Sequence, residues 1–273
     1  MASDLEETGN HIFSQLVWRS FFHDVETTWS WGKKNFGYRD VTTCKVHDLM
    51  HDLAVDISGN ECLCLHKLSE INRIQQDVRH LASPHPHKIG FILQHCRIIR
   101  TVFSLYKHPT GSAQYLNNII NSTLRVLGLQ IYGIKAFSFE PAFMKHLRYL
   151  DFSCCPIEAV PEVTSALYNL QVLVLNNCSR LNQPPEGTKY MVNLRHVYLD
   201  GCHNLKCMPA DLGQLSLLRT LTKYVVGNDP GRGIKELRNL KLGGRLHIYD
   251  LRKVNNALDA KEADLETNNI LRI

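Results

Sequence analysis

The chain has 273 residues, 44% of them hydrophobic and 21% charged, with a formal net charge of +5 at pH 7. It is long enough to bury a core, and because no apolar run approaches the roughly 18 residues of a membrane helix, we expect no membrane partner. The acidic, polar N-terminus is not a signal peptide and the mild positive charge is not clustered, so we expect a cytoplasmic protein with no nucleic acid partner.

The first sixty residues predict two amphipathic helices on either side of a β-hairpin. Apolar residues between Ile12 and Phe21 recur at helical spacing, and residues 27–44 are rich in aromatic residues, threonine and glycine, as in a β-hairpin or wing. A second helical stripe follows, made of Val46, Leu49, Met50, Leu53, Ala54 and Ile57. We therefore predict that residues 1–60 form a winged-helix module whose second helix is packed along its apolar stripe.

The start of that helix carries His-Asp-x-x-His, which differs by one methylene from the zinc-protease motif His-Glu-x-x-His. Further candidate ligands lie nearby, at Cys44, Cys62, Cys64 and His66. Their spacing is not that of a structural zinc site, and no distant third ligand is identifiable. A zinc metalloenzyme built on His47, Asp48 and His51 is therefore kept as an alternative to a helix without metal.

From residue 121 onward the sequence repeats a Leu-x-x-Leu-x-Leu pattern. Four clear copies start at Leu124, Leu147, Leu170 and Leu194, and a looser copy starts at Leu218, all at intervals of 23 or 24 residues. This is the pattern and period of leucine-rich repeats, in which each repeat forms one turn of a solenoid with a short strand on its inner face. We predict an α/β chain in which residues 61–120 are a linker with irregular first repeats, at Val78 and Ile99. Residues 121–273 are then a solenoid that is truncated at its C-terminus.

Cysteines recur within these repeats. The chain has nine cysteines, and three of them occupy the ninth position of successive repeats, at Cys155, Cys178 and Cys202. That position lies where the chain bends after each strand, and it favours a small side chain that tolerates burial. In a reducing compartment we expect stacked, reduced thiols here rather than a disulfide ladder.

Alternate residues of each predicted strand should face outward on a continuous concave surface, the usual binding surface of a solenoid. The mixed aromatic, acidic and amide chemistry of this surface favours protein recognition. Arginine recurs at the second repeat position, at Arg125, Arg148, Arg195 and Arg219, and we expect a basic stripe that meets an acidic surface or is hydrated. The outward-facing, protein-binding residues predicted for the concave surface are Tyr149, Asp151, Ser153, Val172, Val174, Asn176, His196, Tyr198 and Asp200.

Several segments of the chain, in the order in which they occur, resemble those of a plant protein family. This family is the coiled-coil class of nucleotide-binding, leucine-rich-repeat (NB-ARC/LRR) disease-resistance proteins. They are IFSQLVWRSFF and CKVHDLMHDLA in the first sixty residues, the repeats themselves, LRTLTKYVVG, and GIKELRNLKLGGRLHIYDLRKV. The resemblance covers essentially the whole chain. It implies that residues 1–60 are the winged-helix end of a nucleotide-binding module and that the remainder is the first part of the sensor solenoid.

In this family a Met-His-Asp motif on the helix after the wing contacts bound ADP, and Val46-His47-Asp48 matches it here. The resemblance implies that His47 senses the β-phosphate of ADP and helps to hold the inactive state, with Asp48 supporting the local fold. The sequence lacks the Gly-x-x-x-x-Gly-Lys-Ser/Thr phosphate loop. We therefore expect no cofactor in this chain, with ADP and ATP binding to the full-length parent protein.

The resemblance thus implies a non-enzymatic, cytoplasmic regulator of plant defence. Its solenoid would bind a pathogen effector or a guarded host protein, and would hold the nucleotide-binding module of the parent protein inactive. Besides the zinc enzyme, three alternatives stay open. They are a stand-alone leucine-rich-repeat scaffold, a secreted repeat protein glycosylated at Asn121 and Asn177, and a DNA-binding winged helix using Lys33 and Lys34.

Overall fold

The chain forms two compact units, Met1–Cys62 and Leu63–Ile273, which divide close to the boundary predicted at residue 60. The structure is a computed structural model, and it describes residues 5–30, 39–65, 77–83, 92–93, 96, 98–104, 123–129, 140–254, 256–265 and 271–272. A search of the described helices for one with the length and hydropathy to cross a membrane finds none. Four residues named in the alternatives above lie outside the described residues, namely Lys33, Lys34, His66 and Asn121.

The first unit consists of a helix, a hairpin and a second helix, in the order expected of a winged helix. Helix α1 spans Leu5–Trp18, and helix α2 spans Asp48–Ser58. Between them, strands β1 (Phe22–Ser30) and β2 (Arg39–Val46) pair antiparallel. The Phe13 ring stacks on that of the first residue of β1 with the centroids 5.6 Å apart, which attaches α1 to the hairpin. The predicted element types are confirmed in their predicted order.

Two residues that the apolar spacing assigned to helices belong to other parts of the unit. Phe21 follows α1, because Ser20 adopts a left-handed conformation with φ = 60° beyond the end of the helix. Val46 is the last residue of β2, and the extended backbone of His47, with ψ = 137°, separates it from α2. The second helix therefore begins two residues later than its apolar stripe.

The apolar stripe of α2 is not packed within the first unit, contrary to the prediction. Leu49 is 67% exposed and Ile57 is 76% exposed, and no residue of α2 is buried. Among the residues of the first unit whose side chains are described, none is buried.

The second unit is a solenoid built on an eight-stranded sheet. In chain order its strands β3 to β10 span Cys62–Cys64, His80–Ser83, Thr101–Ser104, Val126–Gly128, Tyr149–Asp151, Val172–Val174, His196–Tyr198 and Thr220–Leu221. From β4 to β10 each strand pairs parallel with the next. Equivalent residues of successive repeats therefore lie side by side, as a leucine-rich-repeat solenoid requires.

The core of this solenoid contains the leucines of the first repeat position, which confirms the repeat register. These fully buried leucines are Leu124, Leu147, Leu170, Leu194 and Leu218. Val78 and Ile99 are buried in the same way shortly before β4 and β5. The two fainter copies in the sequence are therefore repeats of the same solenoid.

The return segments and the last repeats complete the second unit. After β10, β11 (Lys223–Val225) pairs parallel with β13 (His247–Tyr249), and β12 (Gly244–Arg245) pairs parallel with β14 (Leu271–Arg272). A last helix, α3, spans Ala257–Glu262. The described return segments form 3₁₀ turns at Pro141–Phe143, Glu162–Ala166, Glu186–Tyr190, Leu212–Gln214, Ile234–Leu237 and Leu251–Lys253.

Candidate functional site

His47 caps the N-terminus of α2 in the first unit. Its Nδ1 accepts a hydrogen bond from the Leu49 N–H at 3.3 Å, and its backbone carbonyl accepts from the N–H groups of Met50 and His51. Because Nδ1 is an acceptor, the ring carries its proton on Nε2. The side chain is exposed, so this Nε2–H can be donated to another molecule.

The hairpin places further polar side chains near this cap. The ring centroid of His23 lies 6.3 Å from that of His47. Asp24, the next residue of β1, accepts a hydrogen bond from Lys45 at 2.6 Å, and this bond lowers the pKa of the exposed Asp24 carboxyl. Asp48 is exposed at the first position of α2, where the helix dipole favours a carboxylate. His47 therefore presents its Nε2–H from a polar, exposed surface.

The structure does not build the arrangement that a zinc-protease site needs. In that motif both histidines lie on one helix, four residues apart, whereas His47 precedes α2 in an extended conformation. Its Nδ1 is hydrogen-bonded to the backbone, and Nδ1 of His51 lies 3.3 Å from Asp52 Oδ1. Within the described residues no group of three or more His, Cys, Asp or Glu side chains is arranged to hold a metal ion. The zinc alternative therefore has no geometric support in this part of the chain.

The strand face of the solenoid exposes fewer side chains than predicted. Tyr149, Val172, His196 and Tyr198 are half-buried. The expected outward exposure is wrong for the other five residues, which are buried: Asp151, Ser153, Val174, Asn176 and Asp200. A binding role for any of the nine stays a prediction.

Hydrogen bonds made where the chain leaves each strand explain part of this burial. Asp151 Oδ1 accepts from the N–H and the hydroxyl of Ser153, at 2.8 and 2.5 Å. Asn176 Oδ1 accepts from the N–H of Asp200, which belongs to the next repeat, at 2.9 Å. Buried backbone groups need such partners. These bonds hold the Asp151 and Asn176 side chains inside the turns.

The cysteines at the ninth repeat position are buried thiols, as predicted. Cys155, Cys178 and Cys202 are fully buried, and none of them forms a disulfide. Their thiols donate to backbone carbonyls of the preceding repeat at 3.6, 3.2 and 3.0 Å respectively. Burial raises the pKa of the Cys178 thiol, and it raises that of Cys202 to about 12. A thiol suits this position because it is small and can donate a weak hydrogen bond.

Thiol reactivity should separate the two kinds of cysteine in the native chain. At neutral pH we expect a maleimide reagent to modify the exposed Cys62 and Cys64, and to leave Cys178 and Cys202 unmodified. The reagent needs an accessible thiolate, which burial prevents. Peptide mass spectrometry measures the labelling, and protein unfolded in urea is the control. Equal labelling of all four residues in the native chain would contradict the burial of Cys178 and Cys202.

An aromatic pair on the strand face was not predicted. Phe103 is 39% exposed, and its ring meets that of Tyr149 edge-on with the centroids 6.1 Å apart. Gly128 lies beside Phe103 in the sheet, and a Cβ at Gly128 would overlap the Phe103 ring. Alignment of Ile99 on the first repeat position places Phe103 at the fifth, outward-facing position, and this signal was available in the sequence.

Two cations in the later repeats were also missed. Lys223 occupies the sixth repeat position, where the four preceding repeats carry Leu or Phe. Its Nζ donates to the Cys202 carbonyl at 2.6 Å and lies 4.2 Å from the centroid of the Tyr249 ring, and burial lowers its pKa. Arg232 donates to Glu186, 46 residues earlier, at 2.7 Å. The departure from the repeat pattern at the sixth position could have identified Lys223 from the sequence, whereas no local pattern could have identified Arg232.

The glycosylation alternative meets an obstacle at one of its two sites. The Nδ2 atom of Asn177, which would carry the glycan, is buried in the solenoid. Attachment there would require the repeat to open. The other site, Asn121, lies outside the described residues.

Proteins similar to the chain are found for both of its units. Residues 1–54 match the family model described as "Disease resistance protein Winged helix domain". At3g14460 of Arabidopsis thaliana is 37% identical over 96% of this chain, and disease resistance protein RGA2 of Solanum bulbocastanum is 36% identical over 96%. The chain spans 18% and 24% of the lengths of these two relatives.

Two solved leucine-rich-repeat structures are similar to the chain at low sequence identity. The LRR protein LIC12759 of Leptospira interrogans aligns with a TM-score of 0.44 and 16% identity, covering 74% of this chain and 56% of its own. The leucine-rich-repeat domain of the type III effector XCV3220 (XopL) aligns with a TM-score of 0.42 and 18% identity, covering 82% of this chain and 80% of its own.

Proposed function

We propose a function from one premise: this chain is related over nearly its whole length to plant disease resistance proteins of the nucleotide-binding, leucine-rich-repeat type and begins with their winged-helix domain. It acts as a recognition and autoinhibitory segment of a cytoplasmic immune receptor. Its solenoid binds a pathogen effector or a guarded host protein, and its first unit is part of a module that switches between ADP and ATP. This role is non-enzymatic.

The observation that carries the recognition role is the continuous strand face of the solenoid. This face carries aromatic side chains from several of its strands. The ring of Phe103, on β5, meets that of Tyr149, on β7, and the rings of His196 and Tyr198, both on β9, stack 6.3 Å apart. Aromatic side chains are typical anchors of protein interfaces. Because short strands hold them in place, little conformational entropy would be lost when a partner binds.

The proposed role in the nucleotide switch is supported by the geometry of His47. The backbone bond from Leu49 orients the imidazole and leaves Nε2–H as a donor, and such a donor suits a phosphate oxygen. Bound ADP would supply the negative charge that His47 senses, and Asp48 would stabilise the helix start that holds the ring. The sequence has no phosphate loop, so the remaining nucleotide contacts would come from another part of the receptor.

The recognition role can be tested in a chimera of RGA2 in which this chain replaces the aligned segment. Leaves that express the chimera alone should stay healthy. They should die locally when a recognised protein from a library of secreted pathogen proteins is co-expressed, because binding shifts the receptor toward its active state. Ion leakage from leaf discs measures the response.

Matched tyrosine pairs show whether the strand face is responsible. Replacing Tyr149 and Tyr198 with alanine should abolish the response, whereas replacing Tyr168 and Tyr190 should retain it. The second pair is exposed in the return segments, at 50% and 65%, so it controls for the loss of two surface tyrosines. A response that survives loss of the strand-face pair would contradict recognition by this surface. A chimera that responds to no library member would favour the stand-alone scaffold.

A further inference from the structure

Arginine side chains recur on adjacent coils at one edge of the strand face. The second repeat position immediately precedes each strand, and backbone hydrogen bonds hold the residues at this position side by side on successive coils. For example, the Arg125 N–H donates to the Arg100 carbonyl, and the Arg148 N–H donates to the Arg125 carbonyl, both at 2.8 Å. Neighbouring strands lie about 4.8 Å apart. We name this row the arginine column, and it comprises Arg79, Arg100, Arg125, Arg148, Arg195 and Arg219, with Gln171 between Arg148 and Arg195.

The central part of the arginine column carries unneutralised positive charge. Arg100, Arg125 and Arg148 are exposed on three consecutive coils, and none of the three forms an ion pair with a carboxylate in the described part of the chain. Like charges at this spacing repel one another. A ligand with several negative charges would therefore be attracted along the length of the column.

An apolar row runs directly beside these arginines. Arg125 is followed by Val126 and Arg148 by Tyr149, and the register places Val126, Tyr149 and Val172 side by side. On β5 the residue beside Val126 is Thr101; Phe103, two residues further along that strand, borders the row, because the missing side chain at Gly128 lets its ring reach Tyr149. We name the row together with Phe103 the aromatic strip, and it comprises Phe103, Val126, Tyr149 and Val172. It gives the surface one charged edge and one apolar edge.

We propose that the arginine column and the aromatic strip together form the docking surface for an acidic amphipathic helix of a partner protein. The proposal rests on the recognition role above and adds the chemistry of the partner. The apolar face of the helix covers the aromatic strip, and its carboxylates meet the arginines. One helical turn rises about 5.4 Å, close to the coil spacing of about 4.8 Å, so one acidic residue per turn can meet successive arginines. A nucleic acid would use the arginines but would leave the aliphatic part of the strip uncovered.

A selection from random peptides tests this proposal on the full chain. A random peptide library displayed on phage is selected against the immobilised protein, and the enriched peptides are synthesised and measured by fluorescence anisotropy. We expect enriched peptides to combine Asp or Glu at helical spacing with aromatic or aliphatic residues. Enrichment without acidic residues, or no enrichment, would overturn the proposal.

Charge-reversal variants identify the contact. Arg125→Glu with Arg148→Glu should weaken binding of the selected peptides by about tenfold or more. The matched control, Arg180→Glu with Lys206→Glu, changes the net charge equally but lies on exposed residues that follow the strands, and it should change affinity less than about twofold. A peptide with its acidic residues changed to Lys should bind the first variant better than the wild-type chain. Equal affinities of the two variants would overturn the proposal.

Two further measurements separate other partners from the proposed one. Phe103→Ala should weaken peptide binding severalfold, since a buried aromatic anchor contributes much of an interface. Single-stranded DNA that binds as tightly as the peptides, and that is insensitive to Phe103→Ala, would overturn the proposal in favour of polyanion binding. The leaf response of the chimera is scored separately. A response that requires Tyr149 and Tyr198 but survives the Arg125/Arg148 reversal would refute the acidic partner and leave the recognition role intact.

Discussion

A His47→Ala substitution in the RGA2 chimera is expected to cause leaf cell death without any pathogen protein. In the proposed mechanism His47 donates its Nε2–H to the β-phosphate of ADP and so stabilises the inactive state. A hydrogen bond to a charged group contributes about 1.5–3 kcal/mol. Its loss should therefore shift the receptor toward the active state roughly ten- to hundredfold. Ion leakage from leaf discs, compared with the unsubstituted chimera, measures this shift.

Two other substitutions distinguish phosphate sensing from a structural role of His47. His51→Ala removes an exposed histidine four residues along the chain, inside α2, and should leave the chimera silent. His47→Asn retains a side chain that can cap the helix but places no imidazole N–H at this position, so it should cause cell death as the alanine variant does. If the asparagine variant is silent, or if the His47 and His51 variants respond alike, the sensing role is wrong.

A Leu173→Ala substitution is expected to lower the free energy of unfolding of the second unit by about 2–5 kcal/mol. Leu173 is fully buried in β8, between Leu150 of β7 and Val197 of β9. The substitution leaves a cavity in the middle of the array. Because each repeat of a solenoid is stabilised by its neighbours, this cavity weakens two interfaces. Unfolding in urea, followed by circular dichroism, measures the loss.

Val172, the residue before Leu173, provides the matched control. Val172 lies on the same strand but is half-buried on the strand face, so Val172→Ala should cost about 1 kcal/mol or less. Both variants remove apolar atoms from β8, and they differ in whether a cavity is left. Equal losses of stability in the two variants would mean that Leu173 does not lie in the core of the solenoid.

Periodicity in the sequence predicted the architecture and much of the core. The Leu-x-x-Leu-x-Leu spacing correctly identified the buried leucines, and the ninth position correctly identified Cys178 and Cys202 as buried thiols. Within one repeat, local spacing decides which residues face the interior, so these features can be read without a structure. The ends of the helices could not be read in this way. They depend on single backbone conformations, at Ser20 and His47, that an apolar stripe does not reveal.

The surface chemistry was decided by contacts between repeats. Alternation along a strand predicted that Asn176 would face a ligand, but its Oδ1 accepts from the backbone of the next coil. Phe103 reaches Tyr149 because Gly128, one coil further on, leaves it room. Arg232 finds its partner Glu186 two repeats away. The sequence by itself determined which way a residue faces within its own repeat; the tertiary structure decided what the adjacent coils place over it, and therefore which side chains remain free to bind.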